Sequence, residues 1–205
     1  MNYTLIPRFM WLAFEKSFEK NMAILGTSDP KYIMKKAKKT YKTILGRIPE
    51  FGANDILLIN ILSGAQVAAV YLSLDNKPTV EQMTEYYDSV MAGSKVTTIF
   101  LKSTNYYSKK YQKKLASQAK KSQLTLNPYG WRFKFYPGQT LDSFDAIFDQ
   151  CGICHLFRQL GMEHIIPAMC QYDYGMAKLT NTSFSRQYTL AEGGPVCDCH
   201  YKKKK

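Results

Sequence analysis

Apolar residues recur at helical spacing through the first 120 positions. In "LIPRFMWLAFEKSFEKNMAIL", the spacing predicts a helix with Phe9, Leu12, Phe14 and Phe18 near one face and Gly26 at its end. "SDPKYIMKKAKKTYKTILGRIP" opens with a cap-like Ser28-Asp29 and Pro30 in the first turn, and Gly46 and Pro49 close it. "KPTVEQMTEYYDSVMAG" places Thr79 three residues before Gln82, the spacing of a capping box. Residues 97–121 are expected to form one further helix, with "SKKYQKKLASQAKK" as its exposed basic end. Between these lies "ILLINILSGAQVAAVYLSL", residues 56–74, which is long enough to cross a bilayer. Its Asn60, Ser63 and Gln66 recur every three residues and line one face. That stripe predicts a helix over 55–74 at the centre of a protein rather than a span. Gly64, Ala65, Ala68 and Ala69 would then pack closely against a neighbour.

After about residue 125 the period changes. Trp131, Phe133 and Phe135 alternate with Arg132, Lys134 and Tyr136, as in a half-buried strand. "DSFDAIFDQCG" reads as a second strand, with a turn at Pro137-Gly138 between the two. Helical stretches follow at 152–160 and 163–179, split by Gly161. The end reads as a hairpin: Phe184–Leu190, a Gly193-Gly194-Pro195 turn, then Val196–Tyr201. The expected fold class is α+β. A helical half (1–125) packs with a half carrying a small antiparallel sheet and helices (126–201), in one compact domain ending in a basic tail, 202–205.

Composition narrows the function classes. Apolar residues make up 45% of the 205, enough for a real core. Arg8 interrupts any signal-peptide apolar region, and five cysteines are an odd number, so reduced thiols in a cytoplasm are expected. The net charge of +12 is unevenly spread. Residues 1–140 hold 21 Lys/Arg against 9 Asp/Glu, whereas 141–200 hold 3 against 7. The cysteine-rich part is therefore mildly acidic, which argues against a nucleic-acid reading element there.

Four chemistries compete for the cysteines. "CGICH", 151–155, has the spelling of a c-type haem attachment site, but such attachment belongs outside the cytoplasm. Cys151, Cys154, His155, Cys197, Cys199 and His200 could supply zinc ligands from two blocks, although the first pair lacks the turn glycines of a zinc ribbon. Cys154 and Cys199 could simply be core. Finally, Cys170 and Asp173 stand three apart on a helix and share a face, while Cys197 and Asp198 point to opposite faces of a strand. A thiol beside a carboxylate and a glycine-rich turn is equipment for attack on an electrophilic carbon.

The order "FDAIFDQCGICHLFRQLGMEHIIPAMCQYDYGMAKL…FSRQYTLAEGGPVCDC" resembles the L-2-amino-thiazoline-4-carboxylic acid hydrolase family. The family pattern is a cysteine after a strand, a helix with Cys-x-x-Asp, then Arg-x-x-Thr-Leu-Ala-x-Gly closing on Cys-Asp-Phe. Here those pieces are Cys151, Cys170 to Asp173, "RQYTLAEGG" from Arg186, and Cys197-Asp198; Cys199 replaces the aromatic. "NDILLINILSGAQVAAVYLSL" also resembles the family's central small-residue helix, and the likeness spans about residues 50–200. It implies metal- and cofactor-free ring-opening hydrolysis of a small cyclic amidine-like acid. Cys170 would be the nucleophile and Asp173 its acid/base partner. Cys197 would line the pocket, and Asp198 would orient neighbours or bind an amino group. Arg186 would grip the substrate carboxylate. Cys151 would border the substrate, and His164 could serve as base; His155 and His200 are expected to be exposed.

Two other classes stay open. The same fold could bind a small ligand without turning it over. Alternatively, Tyr106, Tyr107 and Tyr111, interleaved with Lys109, Lys110, Lys113 and Lys114, could contact an acidic partner or nucleic acid. The competing explanation for that segment is a solvated helix face, and no membrane partner is expected.

Overall fold

The structure, a computed structural model, describes residues 1–52, 55 and 57–205. The chain runs α1 (Leu5–Lys20), α2 (Pro30–Arg47), α3 (Leu58–Ser73), α4 (Val80–Ala92), α5 (Lys95–Ser103) and α6 (Lys109–Ser122). It continues β1 (Arg132–Pro137), β2 (Ser143–Gln150), α7 (Gly152–Gln159), α8 (Ile166–Leu179), β3 (Thr182–Ser185) and β4 (Cys197–Lys203). The strands pair antiparallel in the order β1-β2-β4-β3. The fold is α+β, as the change of period predicts.

Local signals explain most helix starts. Asp29 accepts from the Tyr32 N–H beside Pro30, and Thr79 with Gln82 completes a capping box. The expected helix over 97–121 is broken. Ser108 caps α6 by accepting from the Tyr111 N–H, so α5 and α6 are separate. On α1 the buried face is Pro7, Met10, Trp11, Phe14 and Phe18. Phe9 and Leu12 instead point away, at 62% and 53% exposure, because the face that meets α2 lies on the far side of the helix.

α3 is buried nearly all round, and its polar stripe is used inside the core. Ser63 shares a hydrogen bond of 2.9 Å with the Tyr87 hydroxyl, and Gln66 Nε2 donates to the Met10 carbonyl at 3.0 Å. Each such bond is worth about 1 kcal/mol net, and its loss would leave a buried polar group unpaired. Asn60 is exposed, and Ile56 of the expected helix lies outside the described residues. Gly64 is where the small face matters: a Cβ there would stand 3.2 Å from Ile153 Cγ1 of α7. No helix among the described residues is long and apolar enough to cross a membrane.

The sheet turns one face to the helices. Phe133, Phe148, Phe144, Ala146, Cys197, Cys199 and Tyr201 share that face by strand alternation. The cross-strand pairs Phe133–Phe148 and Phe144–Tyr201 stack at 4.9 and 4.8 Å, each adding about 0.5–1 kcal/mol. One core runs from α1 through α8 and takes in Tyr129 and Trp131, so the helical and mixed halves are packed together. The closing hairpin differs from expectation in two places. β3 ends at Ser185, and 186–189 leave the sheet because Asp198 captures the N–H groups of Gln187 and Tyr188. Lys202 and Lys203 are strand residues, not tail: Lys203 N–H donates to the Asp142 carbonyl at 2.9 Å.

Candidate functional site

β2 delivers the chain directly into α7. Gln150 anchors the junction by donating to the carbonyls of Asn127 and Gly130 at 2.9 and 3.1 Å. Cys151 then occupies the N-cap of α7 with extended backbone. Gly152 is obligatory, because a Cβ there would run into the Tyr129 carbonyl. Cys154 lies in the first turn, 3% exposed and part of the core. α8 supplies Cys170 and Asp173, both half-buried on one face. β4 supplies Cys197, whose sulfur accepts from the Leu190 N–H at 3.2 Å. That contact is set by a 3-10 turn, Leu190–Glu192, which Thr189 caps and Gly193 ends at φ 81.

These groups form one electrostatic cluster. Cys151, Cys154, Cys170, Cys197, Asp173 and Arg186 lie close enough for their charges to shift one another. Arg186, whose side chain is 6% exposed, donates to Asp173 Oδ2 and to the Cys170 carbonyl, both at 2.7 Å. Its guanidinium packs over Tyr174 and Phe184 at 5.2 and 5.5 Å. Burial pushes the Asp173 carboxyl above its ordinary pKa, although Arg186 opposes this. Burial likewise raises Cys170 and Cys197, and lifts Cys199 to about 12. Cys151 moves the other way. The Cys154 thiol and the N–H groups of Cys154 and Ile153 at the start of α7 lower it, while Cys154 itself is raised.

A small cleft of about 100 Å³ opens beside the cluster. α8 contributes Pro167, Cys170, Gln171 and Tyr174 to it, and the loop after β3 contributes Arg186, Gln187, Thr189 and Glu192. A second hollow beside Lys16, Glu19 and Pro30 carries none of this chemistry. Glu192 and Thr189 were missed in the sequence, although Thr189-x-x-Glu192 has capping-box spacing. The Thr189 hydroxyl donates to Glu192 Oε2 at 2.8 Å.

The structure places the other expected residues as follows. Arg186 is committed to Asp173 and to the α8 backbone. Asp198 faces away from Cys197 and pins the Gln187 and Tyr188 N–H groups, so it positions the loop that follows Arg186. His164 is exposed and shares a 2.8 Å hydrogen bond with the Tyr71 hydroxyl; it is neither on the cleft wall nor among the groups that shift the thiols. His155 is half-buried against Tyr129, at 4.6 Å between ring centroids. Cys154, the second cysteine of the haem-attachment spelling, is enclosed in the core. Among the described residues no group of three or more His, Cys, Asp or Glu is placed to hold a metal ion. Tyr107 bonds the Thr182 hydroxyl, and Tyr106 packs edge-on against Tyr111, so these rings take part in packing.

On the outer face of the sheet, His200 lies between two carboxylates, 2.8 Å from Asp145 and 3.4 Å from Asp198. The hydrogen bond to Asp145 is the main cause of its raised pKa. Because the folded value lies above the unfolded one, near 6.5, its contribution is complete below about pH 6.5 and is lost as pH rises through the folded value. Urea unfolding should therefore show His200→Gln destabilising more at about pH 6 than at about pH 8.5. An equal loss at both would show that the pairing contributes nothing to stability.

An α+β chain with a thiol cluster, a desolvated carboxylate and a small cleft has the make-up of an enzyme or binder for a small polar molecule. Residues 60–201 match the model of the L-2-amino-thiazoline-4-carboxylic acid hydrolase family, and the chain belongs to that family. At family level its function is hydrolase-like. No curated protein and no solved structure matches it.

Proposed function

We propose that the chain is a thiol-dependent hydrolase that opens a cyclic, amidine-like C–N bond in a small amino-acid-derived acid. The supporting observation is a divergence: the Cys151 thiol, at the N-cap of α7, is held down chiefly by the Cys154 thiol, while the Asp173 carboxyl is pushed up by burial. Environments that separate two neighbouring groups in this way suit one as nucleophile and the other as proton carrier.

Asp173 takes the Cys151 proton, and the thiolate adds to the amidine carbon. The ring C–N bond breaks, and the departing nitrogen receives the proton from Asp173. Water then adds to the same carbon, Asp173 removes its proton, and Cys151 leaves. One water is consumed, and a thiazoline becomes a carbamoyl-cysteine. Arg186 holds Asp173 in place and presents positive charge on the cleft wall to the substrate carboxylate. In this reading Cys170, the nucleophile the resemblance implies, lines the cleft instead, since burial raises its thiol pKa. Cys197 completes the thiol lining, and Asp198 acts through the loop.

The test is incubation with L-2-amino-thiazoline-4-carboxylic acid, following loss of the ring and gain of carbamoyl-cysteine by mass. Activity requires the thiolate, so it should fall as pH drops through the Cys151 value. The acid limb of kcat/KM is expected below the ordinary thiol pKa of about 8.5. A limb at or above that value would sink Cys151 as nucleophile. Absence of ring opening across a panel of cyclic amidine acids would sink the hydrolase.

A further inference from the structure

The spelling Cys-Gly-Ile-Cys at 151–154 serves more than one nucleophile. Cys151 stands at the N-cap position of α7 and keeps part of its surface in solvent, whereas Cys154, one turn on, is enclosed in the core. They are three residues apart across the first turn of α7, and the Cys154 thiol is the main cause of the lowered Cys151 pKa. Gly152, pressed against the Tyr129 carbonyl, holds this first turn in place. Residues three apart across a helical turn are neighbours, close to the separation a disulfide needs.

We infer that Cys151 and Cys154 form a dithiol that exchanges with small-molecule disulfides and closes reversibly into an intramolecular bond. The accessible thiol, favoured as thiolate, attacks; the enclosed one resolves. In the first step Cys151 sulfur displaces one thiolate from a disulfide RSSR, giving a Cys151–SR mixed disulfide. In the second, Cys154 loses its proton and attacks the Cys151 sulfur, expelling the other RS⁻. Two protein thiols are oxidised to one disulfide, and RSSR is reduced to two RSH. Of the remaining thiols, Cys199 is buried, and Cys170 and Cys197 lie on other elements, α8 and β4, with pKa values raised by burial. If Cys151 is also the hydrolytic nucleophile, which rests on the function proposed above, closing the pair switches turnover off.

The peptide 135–158, released by trypsin after Lys134 and Arg158, contains only these two cysteines. The full chain is equilibrated in reduced and oxidised glutathione at graded ratios, quenched in acid, alkylated and digested. As the ratio becomes oxidising, the 135–158 peptide should lose two hydrogens and both alkyl tags, while Cys170, Cys197 and Cys199 remain alkylated. In Cys154→Ala the same peptide should instead carry a glutathione adduct on Cys151. The wild-type measurement alone remains decisive should that variant fold poorly. A peptide that stays fully alkylated at every ratio, or that cross-links to the Cys170 or Cys197 peptide, overturns the pair. Turnover is read in parallel. A disulfide that forms without loss of activity upholds the redox pair and removes Cys151 from the hydrolytic step. A Cys151→Ser variant without turnover, in a chain that never forms the disulfide, does the reverse.

Discussion

Cys151→Ser is expected to lower kcat on a thiazoline substrate on the order of 10³-fold or more, with KM little changed. Serine keeps the size and the N-cap position of the cysteine, and serine is itself a good cap, so the start of α7 should persist. A hydroxyl there has no thiolate to offer near neutral pH, and Asp173 is a weak base for an alcohol. Stability should stay within about 1 kcal/mol of wild type, as is usual where no cavity or unpaired group is created. Equilibrium binding of the substrate should survive, which also separates an enzyme from a ligand-binding module. Cys170→Ser is the necessary comparison. It alters the cleft wall, so KM should rise while kcat falls far less than for Cys151→Ser. The opposite ranking, with Cys170→Ser silent in turnover and Cys151→Ser active, would return the nucleophile to α8.

The difference between these two cysteines shows what the sequence can and cannot carry. Helical spacing makes Cys170 and Asp173 visible as a pair, because three residues on a helix always share a face. The special property of Cys151 depends on where a strand stops. β2 runs to Gln150 and α7 starts at Gly152, so the thiol stands at the one place where unpaired helix N–H groups gather. A cysteine-glycine between an alternating segment and an apolar helical one is the local trace of that arrangement. Arg186 is legible as a residue type, but its contacts with Asp173 and the α8 backbone are not. Its partner is settled by β3 ending at Ser185, and that follows from Asp198 taking the next two N–H groups, a contact between residues ten or more apart. Likewise, nothing in a 3.6-residue period decides which side of α1 meets α2. Phe9 and Leu12 are as apolar as Phe14, and only the packing separates them.

Arg186→Met should be the most destabilising single change at the site, by about 2–3 kcal/mol in urea unfolding. The methionine can still lie against Tyr174 and Phe184, so the loss isolates the guanidinium. Without it, Asp173 keeps its desolvation but loses its cation, and the Cys170 carbonyl loses a donor. The figure is held below that of a fully buried pair because the Asp173 side chain is 34% exposed and water can recover part of the cost. The sign of the pH dependence follows. Burial already sets the folded Asp173 pKa above its unfolded value, so ionising it costs stability at any pH above the folded value. Removing Arg186 lifts that value further. The penalty is then greatest near neutral pH and shrinks as pH falls and the carboxyl takes a proton. The variant's deficit relative to wild type should therefore be smaller at about pH 5 than at about pH 7.5. Asp173→Asn added to Arg186→Met should recover part of the loss, since a neutral amide needs no cation; the double-mutant cycle measures that coupling. Arg186→Lys should restore charge but not both hydrogen bonds, leaving stability between the two and turnover low. A deficit that is unchanged by pH and unrelieved by Asp173→Asn would show that Arg186 acts through packing alone, and that Asp173 does not depend on it for its charge.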